Sequence, residues 1–155
     1  MISSKHDHTK CTEKLISRAE QICAQRGSRF TEQRKQVLVS VAESHNAVGA
    51  YEIIERLANG DIKPAPITVY RALDFLLEHD LVHKVESRNA FVACNHSHTE
   101  ASAALLICEQ CGTVDEIVEP STTELLLQAV SAQGFKMKKT MIEVSGLCGH
   151  CAGAN

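Results

Sequence analysis

Two cysteine pairs, Cys108-Glu-Gln-Cys111 and Cys148-Gly-His-Cys151, stand 40 residues apart in this chain. Four thiolates in two C-x-x-C pairs are the donors and spacing of a closed, tetrahedral Zn²⁺ site. Such a site ties the end of the chain back onto its middle. The region from about residue 92 onward has roughly 60 residues, a size at which a core alone supplies only about 3–5 kcal/mol. A structural zinc contributes about 10–16 kcal/mol of apparent binding free energy near neutral pH, so the metal decides whether that region folds. The rival for the same cysteines is a redox dithiol. That chemistry needs a helix after the first cysteine to lower its thiol pKa, and only Ala-Gly-Ala-Asn follows Cys151.

Cys94, His96, His98 and Glu116 lie in the same stretch as the first pair. They are mixed sulfur, nitrogen and oxygen donors, suited to a second site of different rigidity. Two metal sites per chain are therefore expected, one holding the fold and one reporting on the cell. The polar start MISSKHDHTK leads into no apolar signal region, and no apolar run approaches a membrane span. A cytoplasmic protein without a membrane partner is expected. Seven cysteines in such a compartment are metal ligands rather than disulfides. Cys23 reads as a small buried hydrophobe on a helix face, and Cys11 as a residue without a role.

Net charge is −3, which argues only weakly against a nucleic-acid partner, because the charge is unevenly placed. Residues 1–90 carry 13 basic against 12 acidic side chains, and residues 91–155 carry 3 against 7. The acidity sits in the second part, leaving the first free to present a basic face to phosphates.

Hydrophobic spacing predicts a helix over residues 10–26, with Leu15, Ile16, Ala19, Ile22 and Cys23 on one stripe and Gly27 as its stop. Thr31 is the expected N-cap of a second helix carrying Val37, Leu38, Val41 and Ala42. A third helix spans Tyr51 to Leu57, and residues 61–66 form a turn. A fourth opens just after Pro66, with Val69, Leu73, Leu76 and Leu77 inward and Thr68, Arg71 and Asp74 outward. An arginine beside small polar residues at a helix start suits the major groove, where a guanidinium pairs with guanine O6 and N7. Two β-prone runs, residues 81–85 and 90–93, flank a turn and complete a winged-helix pattern. A helical bundle with one stray arginine fits the same periodicity.

The second part reads as strands over residues 104–107 and 113–118 around the Cys108/Cys111 knuckle. A helix follows, opened by a Ser121-Thr-Thr-Glu124 capping box and closed by Gly134, and then a strand over residues 135–144. The fold class expected is α+β: a winged-helix domain over residues 1–90 and a small domain over residues 91–155, its antiparallel sheet carrying one helix.

Gln33-Arg34, Ala50-Tyr51, Thr68-Val-Tyr-Arg71, Leu81-Val-His-Lys84, Cys94 and the two C-x-x-C pairs together resemble the ferric uptake regulator family of bacterial metal-dependent repressors. The likeness runs over about residues 13–151 and is nearest to the zinc uptake regulator branch. It implies a winged-helix DNA-binding domain joined to a dimerisation domain, and a homodimer that binds operator DNA when metal is loaded. It implies Cys108, Cys111, Cys148 and Cys151 as structural zinc ligands. It further implies a regulatory zinc site at the hinge from His83, Cys94, one of His96 and His98, and Glu116. Tyr51 and Arg71 are implied as base or near-base contacts, with Thr68 and Tyr70 beside them on the DNA side.

The chain departs from the family pattern in two places. Thr99 to Ala103 are extra residues between the hinge histidines and Cys108. Where iron-type and peroxide-sensing members carry a His-rich run, this chain has Ala103-Ala104-Leu105-Leu106. That absence, with the soft thiolate of Cys94, favours zinc over iron.

Plainer readings stand beside each assignment. His83 alternates with Val82 and Val85 and fits a satisfied wing histidine, Glu116 a solvated strand carboxylate, and Tyr51 a core residue. His6 and His8 belong to a polar tail, and His45, His79 and His150 read as surface groups. The function expected is a zinc-responsive repressor of zinc uptake genes, with no small-molecule substrate beyond the metal ion. The alternatives are another metal-sensing member of the family, a thiol-disulfide oxidoreductase, or a zinc-stapled interaction module. The chain lacks a Gly-rich phosphate loop, G-x-S-x-G and H-E-x-x-H, so no enzyme is expected.

Overall fold

The computed structural model describes residues 8–95, 103–138 and 140–153. The chain divides into two compact units on either side of the Asn95–His96 peptide bond. No helix among the described residues is long and apolar enough to cross a membrane.

The first unit contains four helices and a wing. α1 (His8–Gln25) buries Leu15, Ala19 and Cys23, and Gly27, at φ 63°, ends it by taking the left-handed turn a side chain resists. α2 (Glu32–Ala42) is capped by Thr31, whose hydroxyl accepts from the Arg34 amide at 3.4 Å. α3 (Ala50–Arg56) is one face of the helix-turn-helix, and α4 (Pro66–Glu78) is the other. Pro66 is itself the first residue of α4 rather than its predecessor, since a proline at that position needs no amide and already holds the helical φ. Val69, Ala72, Leu73, Phe75 and Leu76 bury one side of α4 against α2 and α3. Full burial of each large aliphatic side chain contributes about 1.5–3 kcal/mol.

The wing pairs β1 (Val82–Val85) antiparallel with β2 (Ala90–Ala93), His83 facing Val92. Asn89, at φ 46°, closes the turn between them, a conformation asparagine tolerates. Val48 and Phe91 exchange both backbone hydrogen bonds at 2.8 Å, adding one rung of a third strand.

In the second unit β3 (Ala103–Cys108) is the central strand, flanked by β4 (Val114–Val118) and β5 (Ile142–Gly146). The sheet is mixed, not antiparallel as expected: β3 runs antiparallel to β4 and parallel to β5. The cause lies in the cysteines. Cys108 ends β3 and Cys148 follows β5 by two residues, so the strands must run the same way to bring both pairs to one end.

Three further expectations are corrected here. β5 is shorter than residues 135–144 and lies further on, because only residues 142–146 find partners on β3. The capping box at Ser121 is not formed. α5 (Pro120–Ala132) starts two residues earlier, with Pro120 at its first position and Glu119 as N-cap, accepting from the Ser121 amide at 3.4 Å and its hydroxyl at 2.7 Å. A one-turn helix, α6 (Gly149–Ala152), does follow Cys148, so the absence of a helix is no argument against redox chemistry. Gly134, at φ 70°, ends α5 as expected.

Candidate metal centres and nucleic-acid interface

The turn after β3 is closed by the Gly112 amide donating to the Cys108 carbonyl at 3.0 Å and the Cys108 amide donating to Thr113 at 2.9 Å. Gly112 takes φ 78°, which lets the chain reverse within this knuckle. Cys108 and Cys111 thereby project from one turn. Cys148 caps α6, its sulfur accepting from the Cys151 amide at 3.5 Å, so the second pair projects from the first turn of a helix. The four sulfurs all lie within 4.8 Å of one another. Cys111 and Cys148 are 3.8 Å apart. A tetrahedron with Zn–S bonds of about 2.3 Å has S···S edges of about 3.8 Å, so the cage matches zinc in donor type and in size.

Ionisation of the cage is graded. The backbone amides of Cys111 and Cys148, then that of Gln110, point at the Cys108 sulfur and bring its pKa down from 9.0 to about 6. The Thr113 hydroxyl, which lies 3.2 Å from the Cys111 sulfur, is the largest cause holding that thiol below its ordinary value. Cys151 goes the other way, to about 12, because its thiol hydrogen-bonds to Cys148 and is also buried. Four adjacent thiolates repel, and the last proton leaves only when a cation arrives to replace it. Donor type, number and spacing of this set fit a metal cage, whereas a redox dithiol would use only one of the two pairs.

In the first unit His83 and Cys94 are both buried, at 6% and 0% exposure, and their candidate donor atoms lie within 4.8 Å of each other. β1 carries His83, while the Cys94 amide donates to the Leu81 carbonyl at 3.0 Å, which fixes where the chain leaves the wing. Glu116 belongs to the second unit, half-buried on β4 opposite the fully buried Leu105. His96 and His98 lie outside the described residues.

The outer face of α4 carries Tyr70 and Arg71, both exposed, with Thr68 half-buried beside them. Arg71 has no hydrogen bond or ion pair among the described residues, whereas Arg26, Arg56, Lys63 and Lys84 are each paired with a carboxylate. Its guanidinium is uncommitted. Tyr51, near the start of α3, is 75% exposed, so the core reading of that residue is wrong.

His79 was expected on the surface and is instead 8% exposed. Its ring stacks on Phe75 at 3.9 Å, its Nδ1 meets the Phe75 carbonyl at 2.8 Å, and its Nε2 meets the Ser28 hydroxyl at 2.8 Å. Arg34 covers the same phenyl ring, 3.5 Å from its centroid, and Arg26 donates to the Glu78 carbonyl at 2.7 Å. These contacts fasten the end of α4 to α1 and α2. The signal was present in the sequence: His79 continues the inward spacing of Leu73 and Leu76.

The family described as "Ferric uptake regulator family" matches residues 25–145. The zinc uptake regulation protein of Escherichia coli (strain K12) is 39% identical over 141 residues, spanning 90% of this chain and 82% of that protein. A solved structure of a zinc uptake regulator complexed with zinc and DNA matches with a TM-score of 0.86 at 38% identity, over 92% of this chain and 95% of that one. Holo XcZur matches with a TM-score of 0.82 at 39% identity, over 92% and 99%.

Proposed function

The chain belongs to the ferric uptake regulator family, and from that premise we propose that it is a zinc-responsive transcriptional repressor, cytoplasmic and homodimeric, controlling zinc uptake genes. The observation that carries this reading is the buried His83–Cys94 pair, sited in the same unit as a helix that offers an uncommitted arginine to DNA. A metal-binding pair at the root of the wing belongs to a protein that makes DNA binding conditional on metal.

Cys108, Cys111, Cys148 and Cys151 hold the structural zinc. His83 and Cys94, with Glu116 and one of His96 and His98, hold the regulatory zinc. Support for this second set comes from its donor chemistry, one imidazole and one soft thiolate already adjacent, and from the family likeness. Bound there, the ion supplies a charge and a set of bond directions that no group of the chain replaces. Zinc bound by this set would make DNA binding conditional on metal, with a dimer presenting two copies of α4 at the spacing of successive major grooves. Metal and operator then strengthen each other's binding by one common factor, typically worth about 1–3 kcal/mol.

Dimerisation falls to the second unit. Leu106 and Val144, register partners on β3 and β5, are 37% and 48% exposed, and α5 buries none of its residues within the chain. Apolar surface of this kind marks an interface.

The test is operator affinity of Cys94→Ser with and without added zinc. The variant keeps its structural zinc and loses the zinc response; a full response in the variant means the regulatory ligands are elsewhere.

A further inference from the structure

α4 presents an outward stripe of Ile67, Tyr70, Arg71 and Asp74, spaced as neighbours on one helix face and all exposed. Its chemistry changes along the helix. Asp74 repels phosphate, so the DNA-facing part of the stripe ends before it. At the other end stands Ile67, a β-branched apolar residue 58% exposed at the second position of the helix. A solvated helix start favours an acidic residue there, because the helix dipole is positive at that end. The first turn of α4 has no acidic residue.

A single exposed isoleucine is ordinary on a protein surface. Ile62, 76% exposed in the preceding turn, needs no more explanation than that. Ile67 differs in its setting. It shares its stripe with the uncommitted Arg71, it sits at the end of the helix that meets base edges in this class of fold, and its presentation is rigid. Pro66 fixes the backbone immediately before it, and a β-branched side chain in a helix keeps essentially one χ1 rotamer. Little side-chain entropy remains to be lost on binding.

We infer that Ile67 is a specificity-determining residue, packing its exposed methyl groups against the 5-methyl group of an operator thymine near the base read by Arg71. The inference rests on the DNA-binding reading given above. In the major groove the thymine methyl is the one apolar feature a base pair displays, and apolar side chains recognise it. The rise from residue 67 to residue 71 is about 6 Å. That is about two steps of DNA, so the thymine lies one or two base pairs from the arginine's partner.

The experiment uses the full-length, zinc-loaded protein and an operator obtained by selection from random duplex DNA. Each thymine is replaced singly by deoxyuridine, which removes the methyl group and leaves every hydrogen-bonding edge intact. One replacement per half-site is expected to lower wild-type affinity by about threefold to fivefold, the worth of burying one methyl group. The same replacement is expected to leave Ile67→Ala unaffected; this substitution removes an exposed side chain and raises helix propensity, so folding is preserved. If no thymine is sensitive, or if Ile67→Ala shows the same sensitivity, Ile67 reads no methyl group. If selection yields no zinc-dependent sequence at all, the repressor reading fails and this inference with it.

Discussion

Cys108 and Gly146 are register partners at the ends of the parallel strands β3 and β5, and the amide of the residue after Cys108 donates to the Gly146 carbonyl at 2.8 Å. This alignment delivers both cysteine pairs to one end of a small sheet. On the proposed zinc assignment it holds only while the metal holds it, because few side chains of this unit are buried among the described residues. Cys148→Ser is therefore predicted to lower the zinc content by one ion per chain and to abolish the β-sheet signal of the second unit. The helical signal of the first unit, which has its own core, should survive. Metal analysis with far-ultraviolet circular dichroism checks both parts.

Zinc affinity at the four-cysteine cage should rise with pH. In the metal-free chain Cys108 is ionised above about pH 6 and contributes no slope there, while Cys151 keeps its proton up to about pH 12. Binding must expel at least the Cys151 proton, so affinity grows by about tenfold or more per pH unit between pH 7 and 9. Competition with a chelator of known pH dependence measures this; a flat profile would mean that all four thiols are already ionised.

Arg71→Ala is predicted to relax base preference at one position of each half-site, at a cost of about 1–3 kcal/mol for the preferred base. Measured over a panel of single-base operator variants, the loss should be confined to that position. A loss uniform across sequences, with a shallower salt dependence, would make Arg71 a phosphate contact.

His79→Ala is predicted to destabilise the first unit by about 2–4 kcal/mol, through the lost stack on Phe75 and the abandoned partners at Ser28 and the Phe75 carbonyl. Urea unfolding followed at the helical signal checks the magnitude. A change below about 0.5 kcal/mol, the range of ordinary surface substitutions, would show that the packing around His79 is not maintained in solution.

Residues whose pattern repeats locally were legible in the sequence. Thr31 and Gly27, the inward stripe of α4, and the wing turn at Asn89 each follow from a helix period, a cap or a strand alternation. Pairing between distant segments was harder. The parallel partnership of β3 with β5 has no local signature, yet the strand-terminal positions of Cys108 and Cys148 imply it once both pairs are placed in one cage. The Glu119 cap was missed because the Ser-x-x-Glu pattern fits a capping box, and Pro120 outweighs it by setting where the helix starts. His79 was missed because a histidine next to Asp80 reads as polar surface unless the spacing of Leu73 and Leu76 is carried one step further. The four paired cysteines, and Cys94 and Glu116 as further donors in the same stretch, were plain from the sequence alone, while His83, on the wing strand, needed the family likeness to be placed with them.

On the proposed reading a labile zinc, distinct from the four-thiolate one, governs DNA binding. The direct measurement is zinc per chain and operator affinity, taken on one sample before and after mild chelation. Two zinc ions should fall to one, operator affinity should vanish with the ion lost, and added zinc should restore both. Full affinity retained at one zinc per chain, or affinity lost only when the last zinc leaves and the second unit unfolds, would contradict it.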